Sequence, residues 1–233
     1  MTYTIEYSNR PEERPESHAV LLLHGYGSHE RDLLGLVQYL PRRGVTYISM
    51  RAPQPVGALR DSDSATSAVI PGSAMGYQWW PLTGGRVPAE TDTLGVELAT
   101  DYVVDYLKEI KDTYASISLL GFSQGMAIAS SVARRRPDLI HAVIGLSGFV
   151  VESDSDFYRN TELTEKKLPF FYGRGDSDPV IHTELVAFTD SWLPGTVDLD
   201  FHLYPGLAHS VSGEELNHVS DFIERRILAP AAS

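Results

Sequence analysis

Cysteine is absent from the 233 residues, and that omission removes disulfides, thiolate nucleophiles and cysteine metal sites from consideration. Long apolar runs are absent too. The longest, residues 19–23, is strand-sized and far short of the roughly 20 residues that cross a bilayer. The opening Met-Thr-Tyr-Thr-Ile-Glu-Tyr-Ser has neither the basic nor the apolar stretch of a signal peptide, so a cytoplasmic protein without membrane insertion is expected. Positive charge is scarce, with 19 Lys and Arg against 31 Asp and Glu. The resulting net charge of −12 argues against nucleic acid or an anionic membrane as the main partner. No repeat or low-complexity tract is visible, and the length suits one domain over residues 1–233. Composition leaves the oligomeric state open.

What is present is a regular alternation. Short apolar runs at 3–7, 19–24, 45–50, 116–120, 142–146, 168–172 and 197–204 read as strands. Helical stretches are expected at 29–40, 91–112, 123–136, 180–192 and 212–228. Ile181, Leu185, Phe188 and Trp192 recur at helical spacing, and Ser212 with Glu215 forms a capping-box pattern. Such alternation predicts the α/β class, a mostly parallel central sheet flanked by helices, with function at the carboxyl ends of the strands. Two segments break the rhythm. Residues 53–86 are long and rich in Pro, Gly, Ser and Ala; residues 151–167 are polar and acidic, too short and too charged for a broad lid.

The most specific pattern is Gly121-Phe122-Ser123-Gln124-Gly125, a G-x-S-x-G run between an apolar strand and a helix rich in small residues. A serine that attacks a carbonyl must stand at a sharp corner, and glycines two residues to either side remove the clashes that corner creates. The following helix directs its first N–H groups at the place where an oxyanion would develop.

A serine hydroxyl needs a base, and the base an orienting carboxylate. On an open α/β sheet these follow the serine in the order acid, then histidine. Of eight histidines, only His209 combines that order with a glycine-containing loop after a strand. Asp176 and Asp178 share the earlier loop. Asp178 is favoured because it lies further past the strand end, and the other carboxylate is expected to cap the helix begun by Pro179.

Two backbone donors complete such a site. One is expected from Gln124 N–H and the other from Tyr26 N–H in His24-Gly25-Tyr26-Gly27-Ser28. A dinucleotide fingerprint fails in that loop, because Glu30 stands where the third glycine belongs.

With these residues in hand, the chain resembles the phospholipase/carboxylesterase family of α/β-hydrolases, the group that includes acyl-protein thioesterases. The likeness rests on Leu22-Leu23-His24-Gly25-Tyr26-Gly27 with Asp32, Arg51-Ala52-Pro53, Trp79-Trp80, the serine motif, Leu146-Ser147-Gly148, Gly175 through Val180, and Gly206 with His209. The resemblance implies an α/β-hydrolase fold with a minimal lid, Ser123 as nucleophile, Asp178 as acid, His209 as base, and Tyr26 and Gln124 at the oxyanion hole. It departs from the family where a Trp-Phe-Asp-like run is replaced by Trp79-Trp80-Pro81-Leu82. The segment from Pro53 to Gly76, which contains Asp61 and Asp63, is longer than usual.

The expected function is hydrolysis of short- to medium-chain carboxylic esters through an acyl-enzyme, with a small acyl ester as partner and no cofactor or metal. Tyr77, Trp79 and Trp80 are expected to line an apolar substrate pocket. A thioesterase or lysophospholipase would use the same triad. A non-catalytic scaffold or ligand receptor is the alternative from another class.

Overall fold

The computed structural model describes residues 2–56, 76–82 and 92–229. Asp61 and Asp63, most of the 53–86 segment and the start of the expected 91–112 helix lie outside the described residues.

Seven strands form one sheet in the order β1-β3-β2-β6-β7-β8-β9. They are β1 (Ile5–Tyr7), β2 (His18–Leu23), β3 (Val45–Met50), β6 (Ser116–Phe122), β7 (Val143–Leu146), β8 (Pro169–Gly175) and β9 (Asp198–Tyr204). Only β1 runs antiparallel to its neighbour. A two-residue pair, β4 (Gln54–Pro55) and β5 (Tyr77–Gln78), stands apart from it.

The central strands are continuous apolar runs because both faces are covered. Leu21, Leu23, Leu119, Val143, Phe170 and Tyr172 face α1 (Thr93–Ile110), α2 (Gln124–Arg135) and α4 (Thr183–Thr196). Val20, Leu22, Leu120, Ile144, Leu146 and Phe171 pack instead on α5 (Gly213–Ile223) and the turns Leu33–Tyr39. Among the described residues no helix is long and apolar enough to cross a membrane.

Four expectations need correction. The stretch expected as a helix at 29–40 is a 3-10 helix over Leu33–Tyr39. The helix expected from 180 begins at Thr183, because Asp178 Oδ1 accepts the Val180 and Ile181 N–H groups and His182 caps the helix in its place. That competing turn holds the chain out of helix for three further residues. The segment 151–167 contains a short helix, α3 (Asn160–Lys166), which packs against α2 and α4. The capping box at α5 is half formed: Ser212 Oγ accepts Glu215 N–H, but the Glu215 carboxyl returns no hydrogen bond of ordinary geometry.

The carboxyl ends of β2, β6, β7, β8 and β9 emerge along one edge of the sheet. Tyr26, Ser123, Gln124, Asp178 and His209 follow those strand ends, whereas Tyr77, Trp79 and Trp80 lie on or just after β5.

Candidate active site

Ser123 has φ 54° and ψ −119°, a backbone conformation that L-residues adopt only under constraint. Two contacts impose it. Its N–H donates to Leu146 O at 2.9 Å, and its carbonyl accepts Met126 N–H at 3.0 Å. A Cβ on Gly121 would lie 2.3 Å from Gly125 O, and one on Gly125 would lie 1.9 Å from Leu23 O. Only glycine lets the strand, the elbow and α2 approach so closely.

His209, on the loop after β9, places Nε2 at 3.0 Å from Ser123 Oγ. Its Nδ1 is 2.7 Å from Asp178 Oδ2, while Asp178 Oδ1 is occupied by the two amides of its own turn. The carboxylate accepts only, so hydrogen-bond logic puts the imidazole proton on Nδ1 and leaves the Nε2 lone pair facing the serine. The arrangement can take a proton from Oγ and hold the resulting imidazolium.

Asp176 is not a helix cap. It is exposed, and its Oδ1 accepts Gly206 N–H at 2.7 Å and the Ser177 hydroxyl at 2.8 Å. These bonds, with Gly206 first, hold its carboxyl below the usual range. With Ser177 N–H on Leu207 O and Asp176 N–H on Tyr204 O, it joins the loop of Asp178 to the loop of His209.

The other side of the serine is walled by residues 24–28. Gly27 N–H donates to Tyr77 O at 2.9 Å and Tyr77 N–H to Ser28 O at 2.7 Å, so the loop is laddered onto β5. The Trp79 indole N–H reaches His24 O at 2.8 Å. The Gln124 side chain closes the circuit, accepting Trp79 N–H at 2.9 Å and donating to Trp80 O at 2.8 Å. Among the described residues neither Tyr26 N–H nor Gln124 N–H is spent on a protein acceptor. Nor do three or more His, Asp or Glu side chains among them gather as a group that could hold a metal ion.

The family model for phospholipases and carboxylesterases matches residues 9–227. The chain belongs to that family. Membership makes it a serine hydrolase acting on ester bonds. Acyl-protein thioesterase 1 of Kluyveromyces lactis is 26% identical over 221 residues, covering 92% of this chain and 94% of that relative. Among solved structures, esterase PE8 matches with a TM-score of 0.73 at 24% identity, over 97% of this chain and 100% of that one. Zea mays acyl-protein thioesterase 2 gives 0.71 at 19% identity, over 96% and 98%. At these identities the two structures speak to the α/β-hydrolase fold alone.

Against this family background, two expected substrate contacts are displaced. Trp79 and Trp80 are 0% and 1% exposed and belong to the core, with Trp80 edge-on to Phe149. Both contribute to packing there; truncation of a buried Trp costs about 3–5 kcal/mol. Tyr77 is half-buried, with the Arg51 guanidinium 4.4 Å over its ring. Arg51 in turn grips the buried Glu30 with two bonds, 2.6 and 2.7 Å, which pull that carboxyl down to about 2.

Sequence reasoning missed Ser147, whose buried hydroxyl donates to Ser210 O at 3.1 Å and steadies the residue next to His209. Its signal was the Leu-Ser-Gly run at the end of β7. The Gln124 side chain was missed as well, since no spacing links it to a backbone 45 residues away.

Proposed function

We propose that this serine hydrolase cleaves carboxylic esters of short and medium acyl length through a covalent Ser123 acyl-enzyme. The observation that carries the reading is the unbroken chain from Asp178 through His209 to Ser123, at 2.7 and 3.0 Å. His209 Nε2 takes the Oγ proton as Oγ bonds to the acyl carbon, and Asp178 stabilises the imidazolium. The carbonyl oxygen, now an anion, receives the Tyr26 and Gln124 N–H groups. The bond to the alcohol then breaks, and the alcohol leaves with the proton from His209. Water, deprotonated by the same imidazole, attacks the ester on Ser123 and regenerates the hydroxyl.

The chain-length part rests on where residues 151–167 go. Arg134, near the far end of α2, holds Val151 O at 2.5 Å, Ser153 O at 2.8 Å and Asn160 Oδ1 at 2.9 Å. That anchor is about 16 Å along the helix from Ser123, so the segment is tied away from the serine. The test is a series of p-nitrophenyl esters of increasing acyl length alongside emulsified triglyceride. We expect a maximum among the shorter chains and no rise in rate at the lipid interface. Strong interfacial activation on long-chain triglyceride would contradict it.

A second reading, thioester hydrolysis, is favoured by the name of the Kluyveromyces lactis relative. The same atoms serve both, with a thiol as leaving group. Matched oxygen and sulfur esters of one acyl chain, compared by kcat/KM, decide between them.

A further inference from the structure

We infer that His24, acting through the Gly25 peptide group, is the positioning residue that aims the Tyr26 N–H into the oxyanion hole. The inference rests on the reading of Tyr26 as an oxyanion donor.

His24 lies at the end of β2, wholly buried, with both ring nitrogens engaged. The Ala52 N–H can only donate, and it meets Nε2 at 3.1 Å. The proton is therefore on Nδ1, where it points at Gly25 O, 2.8 Å away. Burial lowers the His24 pKa and favours this neutral form, against the opposing pull of the Gly25 bond, Asp32 and Glu30.

The geometry of one peptide unit does the rest. The Gly25 carbonyl and the Tyr26 N–H belong to the same planar trans amide and point in opposite directions. Holding the oxygen on one side fixes where the N–H points on the other. The unit stands beside the nucleophile, since a Cβ on Gly25 would come within 3.5 Å of Ser123 Cβ.

Glycine is the residue whose peptide planes need such holding, because its own φ and ψ are the least restricted. Both planes flanking Gly25 are held. The His24 carbonyl takes the Trp79 indole N–H at 2.8 Å, and the Gly25 carbonyl takes the His24 imidazole at 2.8 Å with a longer bond from Ser28 N–H at 3.3 Å. Trp79 is itself fixed by the Gln124 amide, so the two donors share one rigid frame. His24 touches no reacting atom in this account; it acts only through the amide it orients.

Two substitutions separate that role from plain packing. Asn at position 24 can place an N–H where Nδ1 stands, keeping the donor to Gly25 while losing the acceptor for Ala52. Gln can place an oxygen where Nε2 stands, keeping Ala52 and losing Gly25. Wild type, His24→Asn and His24→Gln are compared for kcat, KM, melting temperature and inhibition by an alkyl trifluoromethyl ketone, whose adduct carries an oxyanion.

We expect His24→Gln to lose about 10–100-fold in kcat with KM little changed, and ketone affinity to fall by a similar factor. His24→Asn should keep kcat and ketone affinity closer to wild type, whichever variant melts lower. Activity that simply follows melting temperature, or a fall in kcat with unchanged ketone affinity, would overturn the inference. Should both variants fail to fold, Trp79→Phe removes the hold on the other plane. A smaller loss in the same two quantities supports the inference, and no loss overturns it. Wild-type protein that neither reacts with a fluorophosphonate nor binds the ketone overturns the serine-hydrolase mechanism itself, and the inference with it. A reactive wild type with indistinguishable variants overturns the inference alone.

Discussion

Asp178 divides its two oxygens between tasks: Oδ2 accepts the His209 imidazole at 2.7 Å, while Oδ1 accepts the Val180 and Ile181 amides at 2.8 and 3.3 Å. The second set of bonds fixes the plane of the carboxylate, so the first meets the imidazole already oriented. The carboxylate also lies deeper than its partner, at 9% side-chain exposure against 17% for His209. Water competes poorly for the bond between them.

Asp178→Asn should therefore be far more damaging than Asp176→Asn. An amide at 178 can present an N–H to the imidazole and favour the wrong tautomer, a change worth about 10⁴ in kcat. The Asp176 carboxyl bonds Gly206 N–H and the Ser177 hydroxyl rather than the imidazole, so its Asn variant should keep most of the rate. Steady-state kinetics on the two purified variants checks the order, and an inactive Asp176 variant beside a working Asp178 variant would reverse the assignment.

Removing Arg51 should cost stability before it costs chemistry. Glu30 is 4% exposed, and its carboxyl is held at about 2 chiefly by the Arg51 hydrogen bonds. Its folded pKa is depressed from 4.5, so the contribution is present above that value and lost as pH falls toward 2. Arg51→Met leaves the carboxylate buried and unpaired, at about 3 kcal/mol. Urea denaturation at pH 7 should show the loss. The variant's stability should also fall less steeply than that of wild type between pH 4.5 and 2.

Glu215 predicts the opposite sign. It is wholly buried beside Gly173, neither carboxyl oxygen makes a hydrogen bond of ordinary geometry among the described residues, and burial, outweighing the opposing pull of the Ser212 backbone, pushes its pKa up to about 7. A raised folded pKa gives stability that is complete below 4.5 and lost as pH rises through 7. The span is on the order of 3 kcal/mol. Glu215→Gln carries no titrating proton, so its melting temperature should lack that decline. A wild-type curve that is flat from pH 4.5 to 8 would contradict this.

The short apolar runs holding Leu21, Leu22, Leu119 and Leu120, alternating with helical stretches, predicted buried parallel strands, and the sheet has them. That Ser123 and His209 come together was legible, because the elbow is a local pattern and the histidine follows from chain order. The start of α4 was not, since the Asp178 side chain takes amides that a helix would otherwise use. The burial of Trp79 and Trp80 in the core was not legible, because an aromatic packed under a loop and an aromatic lining a pocket have the same sequence. What separates them is the Gln124 amide bonding Trp79 N–H and Trp80 O, a contact set by folding rather than by spacing.

The central claim is that Ser123 becomes acylated. Intact-protein mass spectrometry after mixing with a slowly deacylating p-nitrophenyl ester tests it most directly. The account predicts one acyl mass per chain, located on Ser123 by peptide mapping, with a burst of nitrophenol of matching size. Both should vanish in Ser123→Ala. Turnover by that variant, or an acyl group on another residue, would contradict it.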